Sequence, residues 1–293
     1  MTSLNRACLD RTVWNDWHPV AALEMLRAGR VHETRLLGHD VCVRGPQHVT
    51  SPTHPEAIHA ASRYGLVWAC LGEPSQDIVE FPLCTESDRW VVLGGAMQVA
   101  VSGLRAVENF FDLGHLSFVH SGYLGTEPHT EIRPYHVAQR PGGGILATEC
   151  RVHQPMASPA ATASLDVEYV YEVLRPYCVA LYKTNPAQPA RKDFIALLVQ
   201  PLDEDHCIAH SLLAYVQDGI DPSGIRSFMQ LIFAQDKPIL ENQLPKRLPL
   251  DPTAEIAVRA DATSVAYRRW LADHDVRYGT LIARDGLRVA EAL

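Results

Sequence analysis

Between Glu108 and His120 the chain reads Glu-Asn-Phe-Phe-Asp-Leu-Gly-His-Leu-Ser-Phe-Val-His. This sets Asp112, His115 and His120 among Phe110, Phe111, Leu113, Leu116, Phe118 and Val119. Two imidazoles and a carboxylate are costly to bury in apolar surroundings unless something pairs with them. A metal ion is such a partner. With one further carboxylate, two histidines make the facial triad that holds Fe(II) and leaves positions open for oxygen. The spacing sets a condition. Residues five apart on a regular helix point about 140° away from each other. His115 and His120 can therefore share one ion only where the helix ends, loosens or bulges between them, which Gly114 and Ser117 allow. The competing account is two histidines at a helix end, each hydrogen-bonded in the core; spacing alone leaves both open.

A third ligand comes from a later segment. Ile225, Phe228, Met229, Ile232 and Phe233 recur at the spacing of an amphipathic helix. Extending that stripe reaches Asp236, then Ile239 and Leu240, so Asp236 belongs to the buried face. A carboxylate there needs a cation or several donors; a salt bridge or a helix end is the plainer alternative. Asp221 and Pro222 supply an N-cap and a first-turn proline for this helix. Pro238 lacks an N–H and predicts a kink beside Asp236.

Strand-like runs lie between these two segments, at Glu131–Gln139, Gly144–Val152, Ser164–Arg175, Cys178–Lys183, Phe194–Pro201 and Ala209–Val216. Turn signals separate them. Short strands in succession predict an antiparallel meander with one solvated and one covered face. The Asp236 helix is its natural cover, and the class is α+β.

Composition narrows the field. Lys+Arg 26 against Asp+Glu 34 leaves net −8, and without a basic run nucleic acid is not an expected partner. No window approaches the ~18 apolar residues of a membrane span, and Met1–Val20 lacks the apolar core of a signal peptide. Seven cysteines without paired spacing fit reduced thiols in a cytoplasm. His48, His54 and His59 are expected on exposed loops. Trp17, Trp68 and Trp90 are expected as core or interface aromatics.

The pattern Glu108-x3-Asp112-x2-His115-x4-His120, with Gln-Asp-Lys-Pro-Ile-Leu-Glu-Asn-Gln at 235–243, resembles the catalytic domain of Rieske non-haem iron oxygenases. Within that family it resembles the bacterial methylxanthine N-demethylases most. Gln243-Leu-Pro-Lys246 and the tail Val265-Ala-Tyr-Arg-Arg-Trp-Leu271 resemble theirs as well. The resemblance implies a helix-grip catalytic domain, a curved antiparallel sheet covered by helices. It implies His115, His120 and Asp236 as iron ligands, and Asn109 as a polar group near the metal. Asp112 matches the carboxylate that links a ligand histidine to a neighbouring subunit's Rieske cluster.

One departure matters as much. A Rieske [2Fe–2S] centre needs two Cys and two His from two loops. Trp14–Ala21, Leu36–Arg44 and Tyr64–Gly72 resemble the flanks of those loops, yet Gly45–Arg63 holds no cysteine and the chain has no Cys-x-His. Cys150–His153 and Cys207–His210 fall within strands, where residues three apart face opposite ways. The expected organisation is a degenerate Rieske-like β domain without cluster loops over 1–75 and an iron-bearing catalytic domain over 76–293.

The implied activity is oxidative N-demethylation with Fe(II) and O2, converting 7-methylxanthine to xanthine and formaldehyde. Electrons from NAD(P)H would arrive through a [2Fe–2S] centre on a partner, either a Rieske-bearing reductase or a Rieske-complete oxygenase paralogue, in a trimer-based homo- or hetero-oligomer. The alternatives are a non-catalytic structural subunit, an oxygenase of another methylated aromatic substrate, a zinc hydrolase with Glu108 as general base, and a plain ligand-binding protein.

Overall fold

A computed structural model of the chain describes residues 8, 10–54, 58–158, 161, 163–217, 219 and 221–282. A one-turn helix, α1 (Arg11–Trp14), is capped by the Asp10 side chain. It leads into β1 (His18–Ala22), β2 (His32–Leu36), β3 (His39–Gly45), β4 (His48–Thr50), β5 (His59–Arg63) and β6 (Leu66–Cys70). These form two small antiparallel sheets, ordered β2-β3-β4 and β1-β6-β5. The segment expected as shortened loop thus holds β4 and β5. His54 is not exposed there: it is 8% exposed, its Nε2 lies 3.0 Å from the Leu71 carbonyl, and its ring packs edge-on against Trp14. Trp68 is buried as expected, whereas Trp90 is 38% exposed.

β7 (Arg89–Val99) crosses to a large sheet and is followed by α2 (Gly103–Phe111) and one-turn α3 (Leu116–Val119). The meander follows as β8 (His136–Gln139), β9 (Ile145–Gln154), β10 (Leu165–Arg175), β11 (Cys178–Thr184), β12 (Lys192–Pro201) and β13 (Cys207–Val216). The seven strands run antiparallel in the order β7-β13-β12-β11-β10-β9-β8. The long helix α4 (Pro222–Asn242) and then α5 (Ala262–Asp273) complete the described elements that matter for the site. The class is the expected α+β. No helix among the described residues is long and apolar enough to cross a membrane.

Three details depart from expectation. The strand anticipated from Glu131 starts at His136, since Pro134 cannot donate to a ladder. β7 was not foreseen, because Gly94-Gly95 interrupts its apolar alternation; its register against β13 slips at that point. A Cβ on Gly94 would stand 2.8 Å from Met229 Cγ, so the glycine is what admits α4 to the sheet. Finally, the meander is not solvated on one face at its centre. Every residue of β12 from Asp193 to Pro201 is buried. Ile195, Leu197 and Val199 join Leu104 and Val107 of α2 in one apolar cluster, while Phe194, Ala196 and Leu198 join Leu66, Trp68 and Phe81 in a second. The β1-β6-β5 sheet and the connector at Ile78 and Phe81 cover this second face, so neither face is left to solvent there.

As predicted, Asp221 caps α4 and Pro222 lies in its first turn; the helix continues past Pro238 to Asn242. α2 is tied to α5 and to the segment before it by a buried ion network. Arg105, with a side chain 0% exposed, binds Glu255 Oε1 at 2.6 Å and Glu108 Oε2 at 3.3 Å; Arg268 Nε binds Glu108 Oε1 at 2.7 Å. Removing one member strands buried carboxylates. Arg105→Ala is therefore expected to cost roughly 3–5 kcal/mol, read as a lowered urea midpoint.

Candidate metal centre

α2 ends at Phe111. Asp112, its C-cap, leaves the helical region at φ −69 and ψ 123, and its Oδ1 accepts the Gly114 N–H at 2.8 Å. The chain then re-enters a single helical turn, α3, with His115 at its N-cap and His120 at its C-cap. Both histidines stand at the caps of this one turn, and His120 has already left the helical region at φ −106 and ψ 33. The separation of about 140° on a regular helix therefore does not apply. Gly125 keeps the turn closed, since a Cβ there would meet Ser117 Cα at 2.6 Å.

The two imidazoles now converge, with Nε2 atoms 3.2 Å apart. Asp236 arrives from the buried face of α4. Its Oδ1 lies 3.0 Å from His120 Nε2 and 3.4 Å from His115 Nε2. Behind the rings, Asp112 Oδ2 stands 3.0 Å from His115 Nδ1, and Gln235 Oε1 stands 2.8 Å from His120 Nδ1. Each of those oxygens accepts, so each Nδ1 carries its proton and each Nε2 lone pair faces the common point. Asp236 is 6% exposed, and its Oδ1 has no aligned hydrogen-bond donor despite the short contacts. Three acceptors aimed at one point form a poor core and a good cation site. Among the described residues, His115, His120 and Asp236 are the group whose ligand atoms lie together, within 4.8 Å of one another. Two imidazoles and one carboxylate suit non-haem Fe(II).

Without a metal, protons must satisfy this set. Burial works against a charge on His115, but its hydrogen bond with Asp112, its close contact with Asp236 and the negative charge of both carboxylates outweigh it and raise the ring to about 9. Burial pushes both carboxyls up, yet the histidine contacts hold Asp112 and Asp236 below the usual carboxylate range. The sign follows. A histidine raised from 6.5 stabilises the metal-free fold fully below pH 6.5, and that contribution fades as pH rises to about 9. Metal binding runs the other way, because the ion must displace that proton. Apparent Fe(II) affinity should rise about tenfold per pH unit below pH 9, measured by anaerobic titration against a competing chelator; a flat profile would contradict the assignment.

The site separates two spaces. On the inner side, a cavity of about 70 Å³ lies between the triad and the sheet, lined by Phe110, Tyr169, Tyr171, Lys183, Ser211 and Tyr215 among others. On the outer side, a groove of about 770 Å³ is bordered by Asp112, Ile239, Ile256 and Val265. Asn109 and His115 border both. All five sequence-derived positions, Asn109, Asp112, His115, His120 and Asp236, thus meet at one place. Glu108 does not serve the alternative role of general base, since Arg105 and Arg268 engage both its oxygens. Gln235 was missed, although its place beside Asp236 was a usable signal. Tyr169, Tyr171 and Lys183 were missed as well; their alternation on neighbouring strands identifies a face without saying what it confronts.

Comparison with known proteins agrees with this geometry. Residues 100–274 match the family model of the vanillate O-demethylase oxygenase C-terminal domain. The probable methylxanthine N7-demethylase NdmC of Pseudomonas sp. (strain TJI-51) is 42% identical over 272 residues, covering 92% of this chain and 96% of that protein. This chain belongs to the Rieske-type oxygenases. A second relative of this Rieske-type oxygenase is the methylxanthine N1-demethylase NdmA of Pseudomonas putida, 26% identical over 245 residues, 80% of this chain and 66% of that one. Among solved structures, Pseudomonas putida CBB5 NdmA with caffeine superposes with a TM-score of 0.71 at 21% identity, over 90% of this chain and 91% of that chain. Dicamba monooxygenase bound to 3,6-dichlorosalicylic acid gives 0.69 at 15% identity, over 90% and 97%. At those identities the structures speak for a shared oxygenase fold.

Proposed function

We propose that this chain is the iron-bearing component of a methylxanthine N-demethylase that removes the methyl group of 7-methylxanthine as formaldehyde. The observation that carries the reading is the converged His115, His120 and Asp236 set with both Nδ1 atoms already engaged, in a chain 42% identical to a probable N7-demethylase. His115, His120 and Asp236 hold Fe(II), and residues 76–293 form the catalytic part. When bound, the iron supplies O2 activation by two externally delivered electrons.

The chain's own residues do the rest. Asp112 and Gln235 clamp the imidazoles in the tautomer that presents Nε2. The inner cavity, walled by Phe110, Tyr169 and Tyr171, takes a planar ring and keeps bulk water from the methyl carbon being oxidised. Asn109 offers a polar edge beside the metal. Residues 1–75 are the remnant of a Rieske domain whose cluster loops are absent from the sequence. Electrons from NAD(P)H therefore enter from a [2Fe–2S] centre on a separate reductase or oxygenase paralogue, by way of the Asp112 side, in the cytoplasm and within an oligomer.

The test is a single turnover with the iron-loaded protein, a chemically reduced Rieske donor and 7-methylxanthine under air. Stoichiometric xanthine and formaldehyde support the reading. Oxygen consumed without either product, from a protein whose iron binds nitric oxide normally, would remove this substrate.

A further inference from the structure

Lys183 is buried, 2% exposed, on β11 at the sheet wall of the cavity whose helix wall carries the triad. Its ammonium donates to the Ala157 carbonyl and stands 5.9 Å from the Tyr169 ring centroid. That hydrogen bond goes to a neutral oxygen, while the buried Asp193 carboxylate, opposite on β12, supplies a countercharge and itself accepts from Asn185 and the Val216 N–H. A buried ammonium held this way is costly, and burial, opposed by the Asp193 charge, pushes it down to about 8. Tying one loop carbonyl does not call for a full charge. A charge with further N–H bonds to give, bordering a cavity, calls for a ligand oxygen.

Its position along the cavity is set by the strand register. Lys183 pairs with Tyr169 across β10–β11, and Leu181 pairs with Tyr171. Tyr171 packs edge-on against Phe110 at 6.1 Å, two residues before Asp112 in the chain, so it marks the metal end. Tyr169 and Lys183 lie two residues further along the strands, about 6.6 Å away. A bicyclic ring spans such a gap.

Building on the methylxanthine reading, we propose that Lys183 anchors the substrate by donating a hydrogen bond to a ring carbonyl oxygen on its dione edge. Holding the oxygenated end at the sheet wall decides which N-methyl group is presented to the triad. Lys183 is thus a positioning and specificity residue rather than a catalytic one.

The experiment is calorimetric binding of 7-methylxanthine to the whole protein, wild type and Lys183→Met, with thermal unfolding alongside. The dissociation constant is expected to rise about tenfold to a hundredfold, beyond any change in unfolding temperature that follows from losing the Ala157 bond and the Asp193 countercharge. A purely structural Lys183 predicts a lower unfolding temperature with unchanged affinity, and that result overturns the proposal. A ligand-side deletion needs no variant. Wild-type protein should bind 7-methylpurine, which lacks both carbonyls, at least tenfold more weakly than 7-methylxanthine; equal affinity overturns the proposal even if Lys183→Met does not fold. Wild-type protein that binds no methylxanthine at all sinks the substrate reading itself, and this inference falls with it.

Discussion

Asp236→Ala should give a folded protein that holds no iron and shows no turnover. The carboxylate is one of three converging groups and the one drawn from α4, so its loss leaves two imidazoles facing an open corner. Turnover should fall by at least about a thousandfold, or ~4 kcal/mol of transition-state stabilisation. Stability separates this from simple misfolding. A ligand present at a hundred times its dissociation constant stabilises the native state by about 2.7 kcal/mol. Anaerobic Fe(II) should therefore raise the unfolding temperature of the wild type and leave that of the variant where it stands. The metal-free variant should still fold, but without the part of the His115 stabilisation that Asp236 supplies, a loss that is full below pH 6.5 and fades toward about pH 9. Nitric oxide added to the Fe(II) protein should yield a high-spin iron–nitrosyl resonance in the wild type alone. Iron bound by the variant with wild-type affinity would show that Asp236 is no ligand.

Asp112→Ala should be the next largest effect, with a different signature. The carboxylate does not reach the metal point. It holds His115 through Nδ1 at 3.0 Å and is held in turn by the Gly114 N–H. Loss of such a supporting group typically costs about 10–100-fold in metal affinity or activity. The pH profile gives the sharper readout. Asp112 is one of the two carboxylates that raise His115 to about 9. Without it, burial gains weight and the ring titrates lower. The climb of iron affinity with pH seen in the wild type should then shift toward acid. Asp112→Asn, whose amide oxygen still accepts from Nδ1–H, should keep more of the affinity than Ala does. An unaltered profile in Asp112→Ala would mean that the contact does not govern the ring.

The site was largely legible because its chemistry is concentrated. Asp112, His115 and His120 share one short apolar run, and Asp236 falls on an apolar stripe whose period announces a helix. Residue type told what could be bound, and periodicity told which way Asp236 points. The break at Asp112 was harder to see. Gly114 permitted it, but the Asp112 side chain accepting the Gly114 N–H just past the end of α2 is a contact that no local pattern announces. β7 was hidden for a related reason: Gly94 and Gly95 look like a turn until α4 lies across them and Met229 occupies the space a Cβ would take.

By itself, then, the sequence determined the α+β class, which residues could serve as donors and the lack of any Cys-x-His spacing, because residue type and local period act over a few neighbours. The tertiary structure decided three other things. It brought Asp236 and Gln235 to the histidines from over a hundred residues away. It buried both faces of β12 beneath separate layers. It put Lys183 on the sheet wall of the cavity that the triad borders. Each depends on distances between elements, and those are set by how apolar faces close against one another across the core, a sum over the whole chain that no local pattern records.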